Sequence, residues 1–123
     1  MSTDDLSCAA RPFAVEVSRV EGRTVVTLTG ELDLATAPEL RERLGLISEA
    51  GENELTLDLT DLDFVDSTGL SVFVMVFNRA EAAGGSMLIR NPSLAVMRIF
   101  EITGLTSIFT IAIDGEPVPS AGV

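Results

Sequence analysis

Histidine, tryptophan and tyrosine are absent from this chain of 123 residues, and cysteine occurs once, at Cys8. Without imidazole the chain lacks the commonest general base and the commonest zinc ligand, so enzyme chemistry starts without its usual side chains. A single thiol can build neither an intrachain disulfide nor a thiolate metal site, which fits a reducing cytoplasm. Positive charge is scarce too: eight Lys and Arg stand against nineteen Asp and Glu, a formal net charge of -11. That balance repels nucleic acid and anionic membrane surfaces and favours a basic protein surface as partner. The longest oily stretch, "LSVFVMVF", falls far short of the ~18 residues that span a bilayer. The opening "MSTDDLSCAA" has neither the basic segment nor the apolar run of a targeting signal, so the expectation is an unexported, cytoplasmic protein.

What is present is enough apolar sequence, 46% of residues, for one domain with its own core. "FAVEVSRVEGRTVVTLTGEL" reads as two β-branched strands around a turn at Val20 to Arg23, a hairpin. "TAPELRERLGLISEAG" reads as a helix. Thr36 and Glu39 stand at capping-box spacing, Pro38 lies in the first turn, Leu40, Leu44 and Ile47 share a face, and Gly51 ends the run. "ELTLDLTDLDFVD" alternates Leu55, Leu57 and Leu59 with polar residues, a strand leading into an acidic turn. "LSVFVMVF" is rich in β-formers, yet its length, a cap at Asp66 or Ser67 and the stop at Gly84-Gly85 predict a helix. "SMLIRN" is a strand, "SLAVMRIFEIT" a helix with Leu94, Met97 and Phe100 on one face and Gly104 at its end, and "LTSIFTIAID" a last strand. The order predicts an α/β domain over residues 13–113, with flexible tails at 1–12 and 114–123.

Two polar islands interrupt this pattern. "DSTGL" falls where a strand meets a helix, and the bland reading is capping of the free N–H groups by Asp66 or Ser67, with Gly69 permitting close backbone approach. The sharper reading is that Ser67 carries a phosphate, because the positive end of a helix dipole tolerates added negative charge. Within the helix, Leu70, Phe73, Val74 and Phe77 make a core stripe, so Val72, Met75 and Val76 must be covered either by a second layer of this domain or by a partner. The second island is "TGELDLATAP". Gly30 allows a tight backbone path, Asp33 bonds its own turn, Thr36 caps the helix, and in a parallel sheet this loop would lie near Ser67. Asp58, Asp61, Asp63 and Asp66 lack calcium-loop spacing and read as a solvated rim rather than a metal site. Ser67 lacks the G-x-S-x-G setting of a nucleophile, and there is no phosphate-binding loop, so neither catalysis nor a cofactor is expected.

"GELDLATAP", "LTLDLTDLDFVDSTGL" and "GGSMLIRNPSLAVMRIFEITGL" together resemble the STAS domain family, specifically its stand-alone bacterial anti-sigma factor antagonists, from about Phe13 to Ile113. The resemblance implies a small mixed β-sheet with helices packed mainly on one face. It also implies a partner switch. The unphosphorylated antagonist binds an anti-sigma factor that is a serine kinase and so frees the sigma factor; phosphorylation abolishes binding, and a serine phosphatase resets the system. Carried onto this sequence, Ser67 is the acceptor, with Thr68, where the motif's second hydroxyl is often Ser, as a minor site. Asp33, Asp66, Ser67, Thr68, Gly69 and Leu70 fall on partner-facing positions. The competing expectation within the family is a scaffold or transporter-associated module in which Ser67 serves only as a cap.

Overall fold

The computed structural model describes residues 12–113 and 116–118. Alternating β-branched residues form β1 (Ala14–Val20) and β2 (Arg23–Leu32), an antiparallel hairpin with the Glu21-Gly22 turn at φ of 51° and 84°. Three helical crossovers follow: α1 (Ala37–Glu49) leads to β3 (Glu54–Val65), α2 (Ser67–Ala82) to β4 (Ser86–Arg90), and α3 (Leu94–Thr103) to β5 (Thr110–Ile113). A short strand, β6 (Glu116–Val118), returns antiparallel to β5. The sheet order is β1-β2-β3-β4-β5-β6, with β2 to β5 parallel. Because each crossover steps to the adjacent strand in the same direction, right-handed connections place all three helices on one face. The family-implied mixed sheet with one-sided helices is therefore the observed architecture.

The core lies between that face and the helices. Val26, Leu28, Leu55, Leu57, Leu59, Met87, Ile89 and Ile111 point into it from the strands, and Leu40, Leu44, Phe73, Val76, Val96 and Phe100 from the helices. Edge-to-face contacts run through Phe73, Phe100 and Phe109, with ring centroids 6.3 and 5.6 Å apart, and bind α2 to α3 and the turn beyond it. The opposite face is polar. There Arg90 pairs with Asp58 at 2.9 Å, and Arg23 donates to Thr56 at 3.0 Å.

Several expectations are corrected. β3 does not turn at its acidic stretch but runs on to Val65, because it holds two more residues than β2 between the pairs Thr24↔Leu55 and Leu32↔Val65. The bulges absorb them, and Gly30, at φ 94°, sits beside the second. Inward positions consequently step from Leu59 to Leu62 to Val65 in threes. In α2 the buried positions are Gly69, Leu70, Val72, Phe73, Val76 and Ala80, whereas Val74 and Phe77 are only partly buried. The stripe is rotated, and Val72 and Val76 are covered by this domain's own second layer, where α1 packs beside α2. In α3, Val96 replaces Leu94, which is 90% exposed. Within the tail expected at 114–123, Glu116–Val118 form β6; residues 1–11, 114–115 and 119–123 lie outside the described residues.

Candidate functional site

Parallel strands gather their trailing loops at one edge of the sheet, and here the β2–α1 loop (33–36) meets the start of α2. Asp66 makes that junction. Its backbone N–H donates to Leu32 O at 3.1 Å, closing the end of β3 against the end of β2. One carboxylate oxygen, Oδ1, accepts from Gly69 N at 3.0 Å and caps α2; the other, Oδ2, accepts from Leu34 N at 3.1 Å and ties in the loop. Both oxygens are thus engaged inside the protein.

The cap decides the state of the next residue. Since Asp66 supplies the capping oxygen, Ser67 is the first helical residue, its side chain exposed and its carbonyl accepting from Ser71 Oγ at 3.0 Å. Of the two expected caps, Asp66 is the one used, and the Ser67 hydroxyl is left facing solvent at the positive end of a 16-residue helix. Thr68 is half-buried.

The loop is equally constrained. Asp33 Oδ1 accepts from Ala35 N at 3.0 Å and Thr36 N at 3.1 Å, so Asp33 does bond its own turn. Thr36 does not cap α1 as the capping-box spacing predicts: its backbone is already helical (φ -102°, ψ -18°), and its hydroxyl reaches back, donating to Glu31 O and accepting from Asp33 N, each at 2.9 Å. Pulling that oxygen toward the strand leaves it unable to face the first helical N–H groups.

Gly69 takes the close-approach place its lack of a side chain predicts, and Leu70 follows it into the first turn of α2. Gly69 is buried, and a Cβ there would lie 2.7 Å from Leu32 Cγ and Val65 Cγ2, so its role is to let α2 approach the strand ends. Leu70 faces an open groove of about 550 Å³ between α2 and the segment after α3, shared with Ser71, Val74, Met75, Asn78, Thr103 and Leu105. This groove is an apolar surface directly below Ser67. The four acids read as a solvated rim do not converge: Asp58 sits on the open sheet face with Arg90, while Asp66 turns to Leu34 and Gly69. No group of three or more His, Cys, Asp or Glu among the described residues is arranged to hold a metal ion. Sequence reasoning missed Leu34, an apolar side chain 74% exposed between Asp33 and Ala35. Its one signal is a leucine inside an otherwise small and polar loop.

A family model for the STAS domain matches residues 14–114. The chain belongs to the STAS domain family. Among curated relatives, an anti-sigma-B factor antagonist of Bacillus subtilis is 40% identical over 102 residues, 83% of this chain and 93% of that protein. The crystal structure of an anti-sigma factor antagonist from Mycobacterium paratuberculosis superposes with a TM-score of 0.75 at 26% identity, over 81% of this chain and 85% of that one. The anti-sigma factor antagonist SpoIIAA in its unphosphorylated form gives 0.71, also at 26% identity, over 84% and 91%. The STAS domain seen here is therefore similar to stand-alone regulators along nearly their whole length. No helix among the described residues is long and apolar enough to cross a membrane.

Proposed function

We propose that this STAS domain is an anti-sigma factor antagonist whose binding is switched off by phosphorylation of Ser67. The single observation that carries the reading is the exposed Ser67 hydroxyl at the first turn of α2, held by an aspartate cap and adjoining the apolar groove at Leu70. The unmodified protein docks on an anti-sigma factor with serine kinase activity and thereby releases the sigma factor. The kinase then transfers the γ-phosphoryl group of ATP to Ser67 Oγ: the O–P bond to serine forms, the bond to the β-phosphate oxygen breaks, ADP leaves and the hydroxyl proton is lost. A serine phosphatase reverses the state by hydrolysis. Thr68, half-buried, is a poorer acceptor.

Magnitudes support such a switch. The phosphate brings about -1.5 to -2 charges to a helix terminus that tolerates them, so the fold survives. At the docked surface the same charge must be desolvated, at a typical cost of several kcal/mol, and a hundredfold loss of affinity needs only about 2.8. The domain itself acts as a binding module, not as a catalyst.

The test is to incubate the protein with its host's anti-sigma kinase and ATP. One phosphate, about 80 Da, on a peptide containing Ser67 is expected, with Ser67→Ala unmodified yet still bound and Ser67→Asp bound at least tenfold more weakly. An unchanged mass at Ser67 alongside intact binding would leave that residue as a cap and refute the switch.

A further inference from the structure

Leu34 is not accounted for by the fold. It stands 74% exposed, contributes nothing to the core, and yet occupies one of the most constrained loops of the molecule. Its own N–H donates to Asp66 Oδ2 at 3.1 Å; the preceding Asp33 accepts from the N–H groups of Ala35 and Thr36; and Thr36 Oγ1 ties the loop back to Glu31 O. A solvent-facing leucine costs little in a mobile loop, which can fold it away. Here its backbone is fixed from both sides, so the side chain is displayed, one hydrogen bond away from the residue that precedes Ser67.

We infer that Leu34 is a specificity-determining anchor for the protein partner that reads Ser67, and that Asp66 is the positioning residue that presents it. This inference rests on the antagonist reading. Fixing the backbone that carries a side chain before binding removes the loop-ordering part of the cost that a flexible segment would incur, which is how a small contact becomes a dominant one. The surroundings define the partner's chemistry. Leu34 is flanked by Glu31, Asp33 and Asp66 on a protein of net charge -11, so the complementary surface is an apolar recess bordered by Lys or Arg, on the kinase face that approaches the Ser67 hydroxyl. Two apolar features then bracket Ser67: Leu34 on the loop side, and the Leu70 groove on the helix side. Leu94 and Ile102, more exposed still, lie on α3 and not in the loop tied to Asp66.

The full-length protein is titrated with the host's anti-sigma kinase, first without ATP for affinity and then with ATP for the kinetics of Ser67 phosphorylation. Leu34→Ala is expected to raise Kd and KM at least tenfold while kcat stays within twofold, and Leu34→Met to restore both to within about threefold. The melting temperature is unchanged, because the side chain is exposed. Affinity of Leu34→Ala within twofold of wild type overturns the inference, as does a change confined to kcat. If wild type itself binds no anti-sigma kinase, the antagonist reading fails first; if wild type binds and Leu34→Ala binds as well, this inference alone fails.

Discussion

The two edges of the parallel sheet are built on different principles. At the edge where the strands begin, Glu52 accepts from Arg19 at 2.8 Å and from Thr24 Oγ1 at 2.5 Å, Arg23 reaches Leu55 O at 2.6 Å and pairs with Glu54, and Gly85 packs on the backbone of Asn53. Side chains there cross-link one element to another. At the edge where the strands end, the carboxylates of Asp33 and Asp66 are engaged mainly by backbone N–H groups, leaving Ser67 and Leu34 outward. The first edge spends its charges on cohesion. The second uses them to hold a shape, with the Ser67 and Leu34 side chains exposed beside it.

The largest effect expected from breaking this contrast is at the cohesive edge. A methyl added by Gly85→Ala meets the backbone of Asn53, which cannot yield without disturbing the Ser86 N to Asn53 O bond of 2.9 Å. Denaturant unfolding should show a loss of about 3 kcal/mol. The matching change at the other edge, Gly69→Ala, meets only Leu32 and Val65 side chains and gains about 1 kcal/mol of helix propensity, so a smaller loss of about 1 to 2 kcal/mol is expected. Equal losses at the two glycines would erase the distinction.

Asp66→Ala comes next in size. Removal of the α2 cap should lower stability by about 1 kcal/mol, in the range for such caps, and leave the amides of Leu34 and Gly69 open to solvent. Hydrogen exchange is the sharper measurement: faster exchange at both amides is expected, with little change at Val26 or Leu57 in the core. Acceleration at Gly69 alone would mean that Asp66 caps the helix without holding the loop.

The smallest effect concerns acid. Burial raises the affinity of the Asp58 carboxyl for its proton, but hydrogen bonds from Thr60 and Arg90 outweigh it and hold the group below its ordinary value of 3.8. Glu52 is likewise lowered, first by its hydrogen bond to Arg19 and then by Thr24. Both shifts are depressions of a folded-state acid, so their contribution is complete above the unfolded values near 4 and is lost as pH falls through the folded ones. Thermal melts should therefore decline at the acid end below about pH 4, and Arg90→Ala should flatten that decline by a modest amount, since the pair is partly exposed.

Much of this architecture was legible because the signals were local. Strand alternation at Leu55, Leu57 and Leu59, the Pro38 helix start and the Gly104 stop each depend on a few neighbouring residues, and each holds in the structure. The position of Ser67 at a helix start was legible for the same reason. What was not legible depended on partners distant in sequence. The acids of β3 read as a turn because the strand's bulges answer to β2, thirty residues earlier. The apolar residues of α2 run almost all round, so only the packing of α1 beside it fixes which face is inward. Thr36 lost its capping role to a strand carbonyl at Glu31, and Leu34 gained significance only through an aspartate 32 residues away.

The two bulges of β3 carry a further consequence. Each bulge takes one extra residue out of the alternation, the first between Asp58 and Asp61 and the second between Leu62 and Phe64, so that Leu62 and Val65 meet Gly30 and Leu32 on the inner side. Deleting one residue between Leu59 and Leu62 would remove the first bulge and leave Leu62 opposite Gly30 in plain alternation with Leu59, at the loss of the extra local twist that the bulge supplies. Single extra residues in this stretch are thus taken up where they occur, and the apolar side of the strand keeps facing the helices.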